Sequence, residues 1–155
     1  MRGEAEIRAA MVAAARGMVG RRWRHQGRSA TGVDCVGLVL LSARAAGFTV
    51  EDVTGYSRRA LGVGFLGHFR PRMRGVSVFE GRPGDVLVFT ETVYPCHCGV
   101  LGGVLAERRG EATVIHAHGG RGRVLEEPLE GDLRRRLAFV FRLPVEELTG
   151  ERAPA

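Results

Sequence analysis

Residues 23–47, WRHQGRSATGVDCVGLVLLSARAAG, decide the fold of this chain, because a polar loop passes directly into a long apolar run. Gly, Ser and Thr are frequent up to Gly32, and apolar residues then continue almost without interruption to Gly47. This composition predicts a loop followed by a helix, with Asp34 as the N-cap residue and Cys35 in the first helical turn.

Cys35 is therefore expected where a helix favours a thiolate, since the amide N–H groups of the first turn are unpaired and the macrodipole is positive there. A free thiol has a pKa of about 8.5 and is mostly protonated at neutral pH. Helix placement together with a nearby imidazolium would activate it as a nucleophile. The alternative is a small buried hydrophobic residue that begins a core helix.

Length and composition indicate one globular domain. The 155 residues are 45% hydrophobic, which is enough for a single core. We expect this domain over residues 1–145 and a frayed C-terminal tail over residues 146–155. The N-terminus has no uninterrupted apolar core, and no segment reaches membrane-spanning length. We expect a protein made in the cytoplasm, without a signal peptide and without a membrane span.

The net charge of +6 would suit a polyanionic partner such as nucleic acid or an anionic cell wall. The basic residues are scattered among 17 acidic ones without interleaved aromatic residues, so no nucleic acid is expected. All 23 basic residues are Arg, and the chain contains no Asn. A Cys–His–Asn triad is therefore excluded, and any triad must end in His, Asp, Glu or the single glutamine, Gln26.

The hydrophobic pattern predicts an α+β fold, in which two N-terminal helices pack on an antiparallel sheet of about five strands. The first helix is expected over residues 3–18, and a connecting region over residues 51–78 contains one or two short helices near residues 58–69. Between the last two strands a short charged helix is possible. The strands are expected at residues 86–89, 96–103, 112–118, 123–125 and 137–144.

Strand alternation brings candidate catalytic side chains together. His97 points away from its two cysteine neighbours, whereas His116 and His118 share one face. A cysteine at a helix start and two strand histidines suit base-assisted attack by a thiolate, with His97 as the base and His116 or His118 orienting its ring.

A zinc site is the competing chemical interpretation, because five potential ligands lie close in sequence: Cys96, His97, Cys98, His116 and His118. Strand geometry argues against it, since His97 and the cysteines face opposite sides and no second ligand pair completes four ligands. We expect neither a metal nor another cofactor. A hydrogen-bonded core histidine is the remaining alternative for His97.

Four motifs in order resemble the NlpC family of papain-like cell-wall cysteine peptidases. Residues 32–38, GVDCVGL, are similar to its Asp-Cys-Ser-Gly-Phe motif, and residues 82–89, RPGDVLVF, to its Pro-Gly-Asp strand. Residues 97–100, HCGV, match its His-Val-Gly-Ile strand, and residues 114–117, VIHA, its Phe-Ile-His-Ala strand. The resemblance implies a papain-like core in which Cys35 is the nucleophile, His97 the base and His116 the orienting residue. His118 would line the cleft or pack nearby.

The substrate implied by the resemblance is a peptidoglycan stem peptide, cut between D-glutamate and a diamino acid. Arg24-His25-Gln26 and the ending Phe-Arg-Leu-Pro at residues 141–144 look most like the peptidases of phage tails and gene transfer agents. That type implies a place in the tail tip, tail hub proteins as partners, and action on the cell wall. Arg22, Arg24 or Arg28 would clamp substrate carboxylates.

Trp23 departs from the family, which usually has at this place a Tyr whose hydroxyl helps to hold the oxyanion. An indole N–H and the amide of Gln26 can each donate one hydrogen bond, so we place Trp23, Gln26 and Asp34 in the oxyanion and substrate-binding part of the site. Val36 instead of the usual Ser is a mild change. The alternative function is a catalytically weak structural module of a tail hub.

Overall fold

The computed structural model describes residues 2–52, 72–91, 94–105 and 111–150. Helices α1 (Glu4–Gly17) and α2 (Cys35–Ala45) flank a small hairpin of β1 (Arg28–Ser29) and β2 (Gly32–Val33). The remaining elements follow in chain order: β3 (Arg74–Val76), β4 (Val86–Glu91), β5 (Tyr94–Gly102), β6 (Thr113–His118), β7 (Arg123–Pro128), α3 (Gly131–Arg136), β8 (Leu137–Arg142) and α4 (Glu146–Thr149).

The main sheet is antiparallel and has the strand order β3-β8-β4-β5-β6-β7. This confirms the α+β class, although the sheet has six strands rather than about five. The additional strand is β3, which falls in the expected connecting region. Its three residues contain a glycine and are largely exposed, so they show no alternating hydrophobic pattern.

Both faces of the sheet are covered. Helices α1 and α2 pack on one face, where Ile7, Leu38 and Ile115 are among the fully buried residues. A second cluster around Leu87, Phe89 and Val114 fills the other face. Helix α2 is apolar on nearly every side because it contacts both α1 and the sheet. None of the helices in the described ranges is long and apolar enough to cross a membrane.

Asp85 joins α1 to the sheet. Its buried carboxylate accepts hydrogen bonds from Arg8 Nη1 of α1 at 2.9 Å and from Arg142 Nε and Nη2 of β8 at 3.0 and 2.8 Å. It also accepts the amide N–H of Arg82 at 2.9 Å, which closes the turn before β4. Gly84 has φ +87° in this turn, a conformation that favours glycine. The Pro-Gly-Asp motif is therefore a structural junction between layers.

A short helix lies at the start of the expected tail, residues 146–155. Residues Glu146–Thr149 form α4, Thr149 is buried, and Leu148 packs against the core. This helix was not expected, because four residues are too few to show helical periodicity. The short helices expected near residues 58–69 lie outside the described residues.

We expect Asp85→Asn to lower the free energy of unfolding by about 3 kcal/mol or more, because it removes the charge shared by two buried guanidinium groups. Urea denaturation followed by circular dichroism measures this. Asp132→Asn is the matched control, since that carboxylate also contacts two arginines but is 77% exposed; we expect a loss below about 1 kcal/mol. Equal losses in the two variants would contradict the role of Asp85.

Candidate active site

The N-terminus of α2 is fixed by the buried carboxylate of Asp34. Its Oδ1 accepts the amide N–H of Gly37 at 2.8 Å, which confirms the predicted N-cap. Its Oδ2 accepts the amide N–H of Gln26 at 2.8 Å, and Arg28 Nη1 donates to Oδ1 at 3.0 Å. One carboxylate thus ties the preceding loop to the first turn of the helix.

The loop approaches α2 so closely that only glycine fits at the contact. A β-carbon on Gly37 would collide with the carbonyl oxygen of Gly27. Arg28 closes the loop: its guanidinium also donates to the Gly27 carbonyl at 2.9 Å and to Asp52 at 3.0 Å. This largely buried side chain therefore holds the loop, which leaves Arg22 and Arg24 as the better candidates for the substrate clamp.

Cys35 is the first residue of α2 and is half-buried, with part of its surface open to solvent. Its thiol lies close enough to Cys98 and to His97, both on β5, for these two residues to change its pKa. The Cys98 hydrogen bond and the charge and hydrogen bond of His97 hold the pKa of Cys35 well below its usual range, although burial and Asp34 oppose the shift. Burial and the nearby Cys35 raise the pKa of Cys98 well above its usual range. Cys98 therefore stays protonated.

A chain of hydrogen bonds leads from His97 into the sheet. His97 Nε2 lies 2.7 Å from His116 Nδ1, and His116 Nε2 lies 3.0 Å from Glu127 Oε2. Burial, followed by the charge of His97, lowers the pKa of His116 to about 4. His116 is consequently neutral at physiological pH.

The hydrogen bonds of Glu127 and the two histidines determine which ring nitrogen carries the proton in His116 and in His97. The carboxylate of Glu127 can only accept, so His116 carries its proton on Nε2 and accepts at Nδ1. His97 therefore donates from Nε2, which leaves its Nδ1 for the exchange of a proton with Cys35. The arrangement Cys35–His97–His116–Glu127 is that of a thiol nucleophile, a base and two groups that orient the base.

His97 and Cys98, which both lower the pKa of Cys35, lie on opposite faces of β5. Strands β5 and β6 pair from Val100 to Gly102, so His97 and Cys98 precede the ladder. Cys98 belongs to the core beneath α2, whereas His97 is packed against Phe89 of the opposite core, with ring centroids 5.9 Å apart. The alternation expected for His97 and Cys98 therefore holds, at an end of β5 that pairs with β4 but not with β6.

Glu127 was not predicted from the sequence. The strand was expected to end at residue 125, but β7 continues to Pro128, and its Leu125 pairs with His116. Residues two apart on a strand share a face, so Glu127 lies diagonally beside His116. A strand expected to extend to residue 128 would have placed Glu127 beside His116.

The other candidate residues surround this chain. The Trp23 amide donates to the Gly122 carbonyl at 2.8 Å, and its indole ring lies against Gly119 in the β6–β7 hairpin. His118 has its ring centroid 5.6 Å from that of His116 and accepts the Arg121 amide at 3.0 Å, in agreement with packing beside the site. The oxyanion roles of Trp23 and Gln26 stay predictions.

The zinc alternative finds no support in the geometry. Within residues 2–52, 72–91, 94–105 and 111–150, no three His, Cys, Asp or Glu side chains are arranged to hold a metal ion. Cys96 lies apart from the nucleophile, with its Sγ 3.7 Å from Glu91 Oε2.

The architecture and the site define an α+β protein with a thiol–imidazole centre between a helix layer and a sheet layer. Residues 20–141 match the model of the NlpC/P60 family. Since this match covers most of the chain, the chain belongs to the NlpC/P60 family. Among proteins of curated function, none has a significantly similar sequence.

Solved structures of NlpC/P60 proteins have the same fold. An NLP/P60 family protein of Staphylococcus aureus, described as similar to lipoprotein, gives a TM-score of 0.67 at 18% identity, over 92% of this chain and 43% of that chain. The NlpC/p60 domain of the peptidoglycan hydrolase SagA gives 0.61 at 20% identity, over 88% and 98%. RipD of Mycobacterium tuberculosis, a non-catalytic NlpC/p60 domain protein adapted to peptidoglycan binding, gives 0.59 at 14% identity, over 89% and 97%. The fold thus occurs both with and without catalysis.

We expect iodoacetamide to label Cys35 at a lower pH than Cys96, because the Cys35 pKa is depressed while burial and Glu91 raise that of Cys96. Labelling across a pH series, followed by peptide mapping, measures both thiols in one sample. In His97→Ala the midpoint for Cys35 should move to higher pH. Identical midpoints for Cys35 and Cys96 in the native chain would contradict the thiolate assignment.

Proposed function

We propose that this chain is a cysteine peptidase that hydrolyses the stem peptides of peptidoglycan. The observation that carries the proposal is the hydrogen-bonded chain from His97 through His116 to Glu127, which orients the imidazole that lowers the pKa of Cys35. A structural module has no need of a depressed thiol pKa beside an oriented imidazole. Membership of the NlpC/P60 family and the likeness to the SagA domain support the choice of substrate.

In the acylation step the Cys35 thiolate attacks the carbonyl carbon of the scissile bond. The amide N–H groups of the first turn of α2 face the developing oxyanion, with the indole N–H of Trp23 and the Gln26 amide as further donors. The imidazolium of His97 then donates its Nδ1 proton to the leaving amine, which yields the acyl-enzyme.

In the deacylation step His97 acts as a base. It takes a proton from water, which attacks the thioester and releases the acid, and the thiolate is regenerated. His116 remains neutral, so it accepts the His97 Nε2 proton as a hydrogen bond without removing it. Glu127 fixes the tautomer of His116 and with it the orientation of the base.

The bond proposed for cleavage lies between D-glutamate and a diamino acid. Stem peptides carry free carboxylates, for which arginine is a suitable partner. Arg22 and Arg24 are exposed, and Arg22 pairs with the exposed Arg123 through a backbone bridge. We assign the clamp to Arg22 and Arg24.

We further propose that the peptidase acts from the tail tip of a phage-like particle during penetration of the cell wall. The support is the resemblance of Arg24-His25-Gln26 and residues 141–144 to tail-associated peptidases. Purified particles from the source organism provide the test, because peptide mapping should find the chain in intact tails beside hub proteins. Its recovery only outside particles would refute this placement while leaving the peptidase proposal intact.

The second candidate is a binding or assembly module that retains the fold without catalysis. Trp23 favours it, because it replaces a hydroxyl donor by an indole, and RipD demonstrates that the fold occurs without catalysis. Loss of one oxyanion donor costs about 2.7–4 kcal/mol of transition-state stabilisation. Trp23→Tyr would restore a hydroxyl, so activity that appears only in this variant would favour the second candidate.

We expect purified peptidoglycan incubated with the chain to release new stem-peptide fragments, with none from Cys35→Ala, because the nucleophile is then missing. Mass spectrometry of the digest identifies the bond. Cys96→Ala is the matched control and should retain activity, since its thiol lies apart from the nucleophile. Intact peptidoglycan with both the native chain and Trp23→Tyr would contradict the peptidase proposal.

We expect Glu127→Ala to lower kcat by roughly 10- to 100-fold, because a hydrogen bond to a charged group is worth about 1.5–3 kcal/mol. Glu127→Gln retains an acceptor for His116 Nε2 and should lose less. Rates of fragment release by the two variants measure this. Unchanged kcat in Glu127→Ala, with native circular dichroism, would show that His97 and His116 suffice.

A further inference from the structure

The segment that leads to the nucleophile lies beside β7, and two arginines face each other there. Arg22 and Arg123 form an antiparallel bridge, and both are exposed. Two backbone hydrogen bonds flank the bridge, from Val124 to the Arg21 carbonyl at 2.9 Å and from Trp23 to the Gly122 carbonyl at 2.8 Å. Arg22 and Arg123 are thus a non-hydrogen-bonded pair, in which the Cα atoms are about 4.5 Å apart and both side chains share one face.

A histidine continues this pair into the next strand. His118 of β6 lies directly opposite Arg123 of β7, so its side chain is on the same face. We call Arg22, Arg123 and His118 the basic row. Because residues two apart on a strand share a face, the row lies beside His116, about 7 Å from it along β6.

The charges of the two arginines are not compensated within the chain. Two like charges that face each other directly destabilise a sheet. Both acidic residues of β7 are already engaged, one with Arg16 and the other with His116. In the part of the chain that the structure describes, no carboxylate forms an ion pair with Arg22 or Arg123.

The main sheet contains another pair of directly opposed arginines, and there a carboxylate of the chain supplies the opposite charge. Arg74 of β3 faces Arg142 of β8, whose Nε and Nη2 donate to Asp85 at 3.0 and 2.8 Å. A bound anion would compensate Arg22 and Arg123 in the same way.

His118 adds a neutral hydrogen-bond donor to the basic row. Burial lowers the pKa of His118, so its ring is neutral at physiological pH. Its Nδ1 accepts the amide N–H of Arg121 at 3.0 Å, and the proton of the neutral ring is therefore on Nε2. The row thus offers two guanidinium groups and one imidazole N–H, a set of donors that suits a carboxylate.

We propose that the basic row binds a free carboxylate of the stem peptide and makes the chain selective for wall peptides whose carboxylates are not amidated. The inference rests on the proposed function, and it adds Arg123 and His118 to the clamp that contains Arg22. Strands are about 4.8 Å apart, so the row lies roughly 7–12 Å from His116. An extended peptide spans at most about 3.6 Å per residue, which places the carboxylate within about three residues of the scissile bond.

The test measures peptide binding by the full chain with the substitution Cys35→Ala, so that no peptide is cleaved. Isothermal titration calorimetry compares two synthetic stem peptides, one with free carboxylates and one with the same groups as carboxamides. We expect the free peptide to bind about tenfold more tightly, because charge-assisted hydrogen bonds are the stronger ones. Arg22→Ala or Arg123→Ala, added to Cys35→Ala, should remove most of this preference, and His118→Ala a smaller part.

Arg74→Ala is the matched control, since it removes another exposed strand arginine that faces an arginine in the same sheet. It should leave the preference unchanged. Equal affinity of Cys35→Ala for the two peptides, binding of neither, or a preference that survives both Arg22→Ala and Arg123→Ala would overturn the proposal.

Thermal unfolding separates binding from a structural role of the same residue. Arg123→Gln removes one of two opposed charges, so the Tm at low ionic strength should stay the same or rise. A fall of more than about 4 °C would show that Arg123 stabilises the fold and would count against the site.

Cleavage is measured separately, with the chain that retains Cys35. Selective binding together with intact peptidoglycan would refute the peptidase proposal and leave the carboxylate site in place. Cleavage of free and amidated peptides at equal rates, with equal affinities, would refute the carboxylate site alone.

Discussion

The buried carboxylate of Asp34 is the constraint on which the site depends. It binds the helix amide of Gly37, the loop amide of Gln26 and the guanidinium of Arg28 at once. A buried charge is tolerated only when such partners surround it, so loop and helix cannot separate without exposing it. Because α2 begins at this carboxylate, its position sets where Cys35 meets the sheet.

The electrostatics of the site depend on His116, a neutral ring that lies between Glu127 and His97. His116 is too deeply buried to accept a proton near neutral pH, so it transmits orientation from Glu127 to His97 rather than charge. The charge of His97 in turn lowers the pKa of Cys35. Asp34 opposes the Cys35 thiolate through its charge, yet it is needed because it caps the helix that carries the thiol.

Local chemistry was predictable from the sequence wherever a short motif determines it. The cap at Asp34 and the first helix, expected over residues 3–18 and found at Glu4–Gly17, depend on neighbouring residues only. Glu127 and the proximity of Cys98 to Cys35 were missed because they depend on strand length and on the placement of α2 over β5. Arg28 could not be separated from Arg22 and Arg24 as a substrate clamp, because sequence shows that a cation is present but not which anion is nearest.

The two layers contribute different halves of the reactive centre. The sulfur that is ionised belongs to the helix layer, while the imidazoles and Glu127 belong to the sheet. At another point Arg8, Asp85 and Arg142 hold the same two layers together. The pKa of Cys35 therefore reports whether the helices are packed on the sheet. When the two layers separate, this pKa returns to the usual value for a cysteine. The reactivity of Cys35 and the native packing of the two layers are therefore lost together.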